Sequence, residues 1–261
     1  MLRGLYTSAV GMINQMKRMD VTANNLANAD SFGFKRDVVV SEAFSDVLVR
    51  RVRDYELGGF NVGNSLNMGS MSLGIFVNSI HRDFSQGSFI QTGNNLDLTL
   101  DSQGFFQVAF INEAGESINM YTRNGSFMTN NEGVLSTRDG FAVLNTAGVP
   151  ITLPMSGEIT INGLGQIIIN GEIVDTINIA NFENLDSLRP FGNNLYSITE
   201  ESIEIPFEGL LLQGIIETSN VNPIREMVEM ISLSRVYEAN QRMITIQDQS
   251  LGQAVSEIAR R

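Results

Sequence analysis

Residues 24–37 read Asn-Asn-Leu-Ala-Asn-Ala-Asp-Ser-Phe-Gly-Phe-Lys-Arg-Asp (NNLANADSFGFKRD). Asn is a poor helix-interior residue because its amide competes for backbone groups. Here Asn24, Asn25 and Asn28 crowd one short run, and Asp30, Ser31 and Gly33 follow. Phe32 and Phe34 read as exposed. The stretch is a deliberate stop, and what it stops lies upstream. Leu2, Leu5, Ala9, Met12, Met16, Met19, Ala23 and Leu26 are spaced alternately by three and four residues. That is an a/d heptad stripe without an interrupting proline. A helix of about 27 residues would reach ~40 Å.

The far end of the chain repeats the pattern. Met230, Leu233, Tyr237, Asn240, Ile244, Gln247, Leu251, Ala254 and Ile258 step by three and four. Pro223 suits a first-turn position, where its missing N–H costs nothing. Ser219 or Asn220 is placed to serve as N-cap. Met227, Ile231, Val236, Met243 and Val255 widen the apolar face. Two a/d stripes ask for helical partners. The candidate interface residues are therefore Leu5, Met12, Met16, Met19 and Leu26 in front, and Leu233, Tyr237, Ile244, Leu251 and Ile258 behind. The other reading is a helical hairpin packed against its own sheet, with these residues in ordinary intramolecular core. As an interface, the otherwise apolar stripe would take its register from Asn240 and Gln247. Methionine adapts to unlike neighbours, which suits an interface repeated in non-identical settings.

Between the helices the texture changes. Short apolar or alternating runs (LDLTL, FFQVAF, FAVL, ITLP, EITI, QIIIN, VDTINIA) are separated by Asn/Gly turns such as RNG, NNEG, RDG, NTAG and NGLG. This predicts an antiparallel β domain over 76–216, sandwich or barrel-like. Residues 45–75 carry Gly58, Gly59, Gly63, Gly69 and Gly74 among Asn and Ser, and read as an extended arm. The fold class is α+β, mostly β. Its parts are an N-terminal helix and turn (1–44), the arm (45–75), the β domain (76–216) and a C-terminal helix (217–261) that joins the first in a coiled-coil-like layer.

The chain has 261 residues, is 43% hydrophobic and carries a formal net charge of −12. It can bury a core, and its acidity argues against nucleic acid as a partner. The short basic run Arg50, Arg51 and Arg53 is followed by Asp54 and Glu56. It reads as a solvated or intersubunit face. There is no Cys, hence no disulfide and no thiolate chemistry. No apolar run approaches a membrane span, so direct membrane insertion is not expected. No leader-like apolar segment opens the chain. His81 is the sole histidine, and in SIHRDF it reads as a strand-edge residue. No nucleophile elbow, P-loop or dinucleotide fingerprint occurs, and His/Cys metal clusters cannot form. The expectation is no catalytic residue, no cofactor and no metal.

MLRGLYTSAVGMINQMKRMDVTANNLANADSFGFKRD resembles the N-terminal signature of bacterial flagellar basal-body rod proteins. Its core here is Asn24, Asn25, Leu26, Ala27 and Asn28, then Gly33, Phe34 and Lys35. ETSNVNPIREMVEMISLSRVYEANQRMI, from Glu217, resembles the same family's C-terminal signature. DFSQGSFIQTGNNLDLTLDSQGFFQV and YTRNGSFMTNNEGVL resemble the β domain of its distal and proximal rod types, with a lean toward the distal. Ala29, Asp30 and Ser31 depart mildly from the usual pattern. The resemblance implies a structural subunit of a drive shaft. Its terminal helices would line a central channel among copies of itself and other rod and hook subunits, and it would transmit torque. It also implies passage through the flagellar export apparatus without a cleaved leader, a place in the periplasmic part of the basal body, and ring proteins as neighbours. A secreted β-domain binding module on a helical stalk is the reading from another class.

Overall fold

The computed structural model describes residues 2–51, 66–111, 116–154, 159–192 and 194–258. It divides the chain into two compact units. One comprises residues 1–24, 37–81 and 224–261, the other 25–36 and 82–223. The centre of the predicted arm, with Arg53, Gly58, Gly59 and Gly63, lies outside the described residues.

The first unit holds the two long helices, α1 (Leu2–Ala27) and α2 (Pro223–Ile258). They lie antiparallel. Gly4 faces the amide of Gln247, Gly11 faces that of Asn240, and Arg18 donates to Glu229 at 3.1 Å. The glycines leave room for two polar side chains seven residues apart on α2. Four strands follow α1: β1 (Asp37–Ala43), β2 (Val47–Arg51), β3 (Leu66–Met71) and β4 (Ile75–Arg82). β1 pairs with β4, and β2 with β3 in antiparallel register, Val47 opposite Met71. The described parts of the arm are thus a two-stranded ribbon. It is fastened at its base, where Phe44 N–H donates to Gly74 O at 2.9 Å and the Phe44 and Phe76 rings lie 4.9 Å apart. Ser41 on β1 donates to the Asn14 side chain of α1 at 3.2 Å.

The second unit is antiparallel throughout its described strands. After β5 (Phe89–Gln91) and β6 (Leu98–Leu100) comes β7 (Phe105–Ile111), its central strand. β7 pairs along one edge with β8 (Ser117–Thr122). Along the other it pairs with strands 142–143 and 179–182. Both its faces are covered, which is why FFQVAF is apolar at all but buried Gln107 rather than alternating. Phe106 and Val108 enter the larger core with Leu98, Leu100, Leu135, Val143 and Ile167. Phe105 enters an aromatic cluster with Tyr121, Phe182 and Tyr196. The chain closes on itself late. Strand 211–213 pairs with β6, and strand 215–217 with β5.

Two local expectations change. ITLP forms only an isolated bridge, Thr152 opposite Val134. VDTINIA is broken into two strands, Glu172–Thr176 and Ile179–Phe182, in different sheets.

Candidate functional site

The stop that opens the reading is built from two successive turns. α1 ends at Ala27, and Ala29 N–H reaches back to Leu26 O at 3.3 Å. Ser31 N–H then bonds Asn28 O at 3.1 Å, with the Ser31 hydroxyl donating to the Asn28 side chain. Gly33 has φ +67°, a left-handed conformation that glycine adopts freely. A Cβ there would also lie 2.6 Å from the carbonyl carbon of Arg123 and from Asn124 N. Phe34 is buried, not exposed. Its ring and that of Tyr196 lie beneath the Arg82 guanidinium at 5.9 and 5.4 Å. Phe32 is half-buried, with the Arg138 guanidinium 5.8 Å from its ring.

Beyond Phe34 the turn runs into a buried ionic node. Lys35 Nζ lies 2.6 Å from Glu217 Oε1, and Arg123 Nε lies 2.7 Å from Glu217 Oε2. The Lys35 and Glu217 side chains are each 2% exposed and that of Arg123 is 5% exposed. Lys35 also donates to Ser85 O at 2.8 Å, and Arg123 to Gly104 O and Leu100 O. Glu217 Oε1 accepts a further bond from Gly87 N–H at 2.9 Å. Gly87 is required by close approach, since a Cβ would stand 2.0 Å from Thr218 O.

Burial alone would raise the Glu217 pKa. Arg123, then Lys35, and the Gly87 N–H outweigh it and hold the carboxyl below its ordinary range. Burial lowers the Lys35 pKa; Glu217 opposes this, while Arg123 adds to the lowering. The two directions agree with the composition of the node: two cations share one carboxylate, so the acid is over-compensated and the lysine under-compensated.

Three stretches of chain meet here, 33–36, 83–88 and 217–220. Gly33 N–H donates to Glu217 O, Asp83 N–H to Arg36 O, and Thr218 N–H to Ser88 O. Asn220 accepts from Arg36 N–H at 2.8 Å and donates to Asp83 O and Ser85 O. Asn220 is therefore committed to the β unit and does not cap α2. Ser219 accepts from Val221 N–H in a local turn. α2 begins at Pro223, directly after Asn222.

The predicted interface residues fall in several environments. Leu233 is buried in its unit, and Leu5, Met12, Met19, Leu26, Tyr237, Ile244 and Leu251 are half-buried. Met16 and Ile258 are exposed. Of the turn motif, Asn25 is buried at 1%, Asn24 and Ala27 are exposed, and Asn28 is half-buried. A second apolar face, opposite Leu233, stands exposed on α2 with Ile224, Met227, Val228, Ile231 and Ile246; Val236, Met243 and Val255 are exposed elsewhere around the helix. The sequence reading singled out neither this face as a separate surface nor the node. The visible signal for the node was a charged residue inside each of three Gly/Asn/Ser-rich segments, GFK, YTRNGSF and ETSNVN.

The β unit thus locks its entering and leaving segments together at a buried ionic node. Comparison with known proteins supplies the family. A family model described as "Flagella basal body rod protein" matches residues 5–35. "Flagellar hook protein FlgE/F/G D1 domain" matches 99–169, and "Flagellar basal body rod FlgEFG protein C-terminal" matches 212–257. The chain is 34% identical to flagellar basal-body rod protein FlgG of Bacillus subtilis, over 98% of this chain and 99% of the relative. It is 32% identical to FlgG of Agrobacterium fabrum, over 95% and 96%. Rod protein FlgF of Caulobacter vibrioides is 33% identical over 90% of each chain, a smaller share than the FlgG relatives cover, and the proximal, FlgF-type reading is not favoured. The chain belongs to the flagellar basal-body rod protein family. It is a structural subunit of that rod in the flagellar basal body, not an enzyme. Family membership supports assembly with other rod and hook subunits.

Proposed function

We propose that the chain is a distal rod subunit whose two terminal helices complete their packing only against copies of itself and neighbouring rod subunits. Polymerised, it forms a helical tube that encloses the export channel and transmits torque. It is exported through the flagellar apparatus without a cleaved leader, and it assembles in the periplasm within reach of ring proteins. The longer share of each chain matched by the FlgG relatives supports the distal type.

The observation that carries the reading is the burial of α2. Over 36 residues, its buried side chains among those described are Glu226 and Leu233. Helices in proteins draw most of their stability from packing, and apolar residues exposed in rows mark surfaces that are covered elsewhere. On α1, Tyr6, Ile13 and Met16 are exposed as well. Leu5, Met12, Met19, Leu26, Tyr237, Ile244 and Leu251, half-buried in one copy, gain further cover in the polymer.

Hydrogen exchange on dilute full-length protein, then on the same protein driven to polymerise, tests this. Fast exchange along α1 and α2 in the monomer and strong protection in the polymer is the expected result. Full protection of both helices in the dilute monomer would place them in its own core and overturn the reading.

A further inference from the structure

The node is more than a buried ion pair, because of where its strands lead. By chain order the polypeptide passes from one unit to the other at residues 24/25, 36/37, 81/82 and 223/224. Three of these crossings lie within a few residues of the chain segments joined at the node: 33–36, 83–88 and 217–220. Every cross-bond found there runs from one of these strands to another. Gly33 bonds Glu217, Arg36 bonds Asn220, Asp83 bonds Arg36, Gly87 bonds Glu217, and Thr218 bonds Ser88. The side chains repeat the pattern. Glu217 holds Lys35 on one strand and Gly87 on another, and Asn220 holds Arg36, Asp83 and Ser85. Arg123 then anchors Glu217 to the core strands through Gly104 O and Leu100 O. Lys35, Arg123 and Glu217 each lie in a different one of the three matched family segments.

We propose that Glu217, with Asn220, is a positioning clamp that makes the three crossing strands open and close as one cooperative unit. No strand can leave without breaking bonds to both others. A pull or twist arriving along one crossing is shared by three strands and passed through Arg123 to the β core. The clamp itself is a property of the single chain; only its use under torque rests on the rod reading.

The test is residue-resolved amide exchange on the full chain, with Gly33, Arg36, Asp83, Gly87 and Thr218 as reporters and Gly148 and Gly165, in remote turns, as controls. In the unmodified protein the five reporters share one protection factor within about threefold. In Asn220→Ala all five accelerate together by tenfold or more, including Gly87, which makes no bond to Asn220, while the controls do not move. Glu217→Gln gives the same pattern more strongly. Acceleration in Asn220→Ala confined to Arg36, or five unrelated protection factors in the unmodified chain, would overturn the clamp. Equal acceleration of reporters and controls would reduce it to ordinary global stability and also overturn it. Asn220→Ala removes no buried charge, so the test stands even if Glu217→Gln does not fold. Failure of the chain to polymerise would count against the rod reading and leave these exchange results unaffected.

Discussion

Gly33 and Gly148 share a backbone conformation and differ in their surroundings, so alanine at each separates two costs that are usually mixed. Their φ values are +67° and +76°. Placing an L residue in this region costs roughly 1–2 kcal/mol. A Cβ on Gly148 meets nothing within 4 Å, so Gly148→Ala should cost that amount and no more. At Gly33 the new carbon would lie 2.6 Å from the Arg123 carbonyl carbon and 2.6 Å from Asn124 N, both backbone. No rotamer change relieves such contacts, so strand 33–36 must shift by several tenths of an ångström. The shift strains the 2.9 Å bond from Gly33 N–H to Glu217 O and pulls at the ion pairs 2.6 and 2.7 Å long beside it. Disturbing a buried hydrogen-bonded charge adds about 1–3 kcal/mol. Gly33→Ala should therefore cost about 2–5 kcal/mol in all. Domains of this size lose about 2–4 °C in Tm per kcal/mol. The prediction is a drop of about 2–8 °C for Gly148→Ala and at least twice that for Gly33→Ala. The near-ultraviolet signal of Tyr121 and Tyr196, both buried in the β unit, reports the transition. Equal drops for the two variants would refute the steric argument. A Gly33 drop no larger than the conformational cost would show that the strand yields freely.

Acid should weaken the β unit through Glu217. Its folded pKa is depressed, so its contribution is complete above the unfolded value of about 4.3 and is lost as pH falls through the folded one. Urea unfolding should show unmodified protein leading Glu217→Gln by about 3–5 kcal/mol at pH 7. The gap should close in strong acid, and a gap constant with pH would count against the assignment. Asn130→Ala should cost about 1–2 kcal/mol, because its Oδ1 accepts from both Glu132 N–H and Val134 N–H. Asn130→Asp, which keeps that oxygen, should stay within about 0.5 kcal/mol of the parent in the same assay. The two faces of α2 should separate. Ile231→Asp should leave the helical circular dichroism of the monomer intact and prevent polymerisation seen by electron microscopy. Leu233→Ala, at a residue buried within the helical unit, should instead lower the helical circular dichroism of the monomer itself. Loss of helical signal in Ile231→Asp would show that its face is already packed.

What was legible in the sequence was whatever repeats. The heptad stripes gave both helices, because a three-four alternation kept up over many turns has no other economical reading. The turns of the β unit were legible for the same reason. Asn130, Asn145 and Asn162 each use one side-chain oxygen to hold two N–H groups, two and four residues on, and each turn ends in a glycine with φ between +76° and +82°. NNEG, NTAG and NGLG are three copies of one device. Strand limits were less legible, as VDTINIA shows. Its break at Ile177 and Asn178 serves bonds to Gly165, Leu144 and Gln107, which are distant in sequence.

The node's three members were visible only singly and their meeting was not legible, and the reason is physical. A sequence displays charges one at a time, and a lone Lys, Arg or Glu is most often a solvated surface group. Lys35 and Glu217 are 182 residues apart, and Arg123 and Glu217 are 94 apart. Only the late closure of strand 215–217 on β5 brings the three together. The same long reach gives the site its consequence. A contact between neighbours in sequence holds a turn, whereas one between segments near both ends and the middle of the chain can form only when all three are in place. In a subunit whose helices wait for other subunits, such a contact fixes how the β unit holds the strands leading to those helices before any assembly begins. On the proposed reading the clamp residues belong to the working parts of the protein as much as the exposed helix faces do: the faces would decide what the subunit joins, and the node would decide whether the two ends of the chain act on the β unit together.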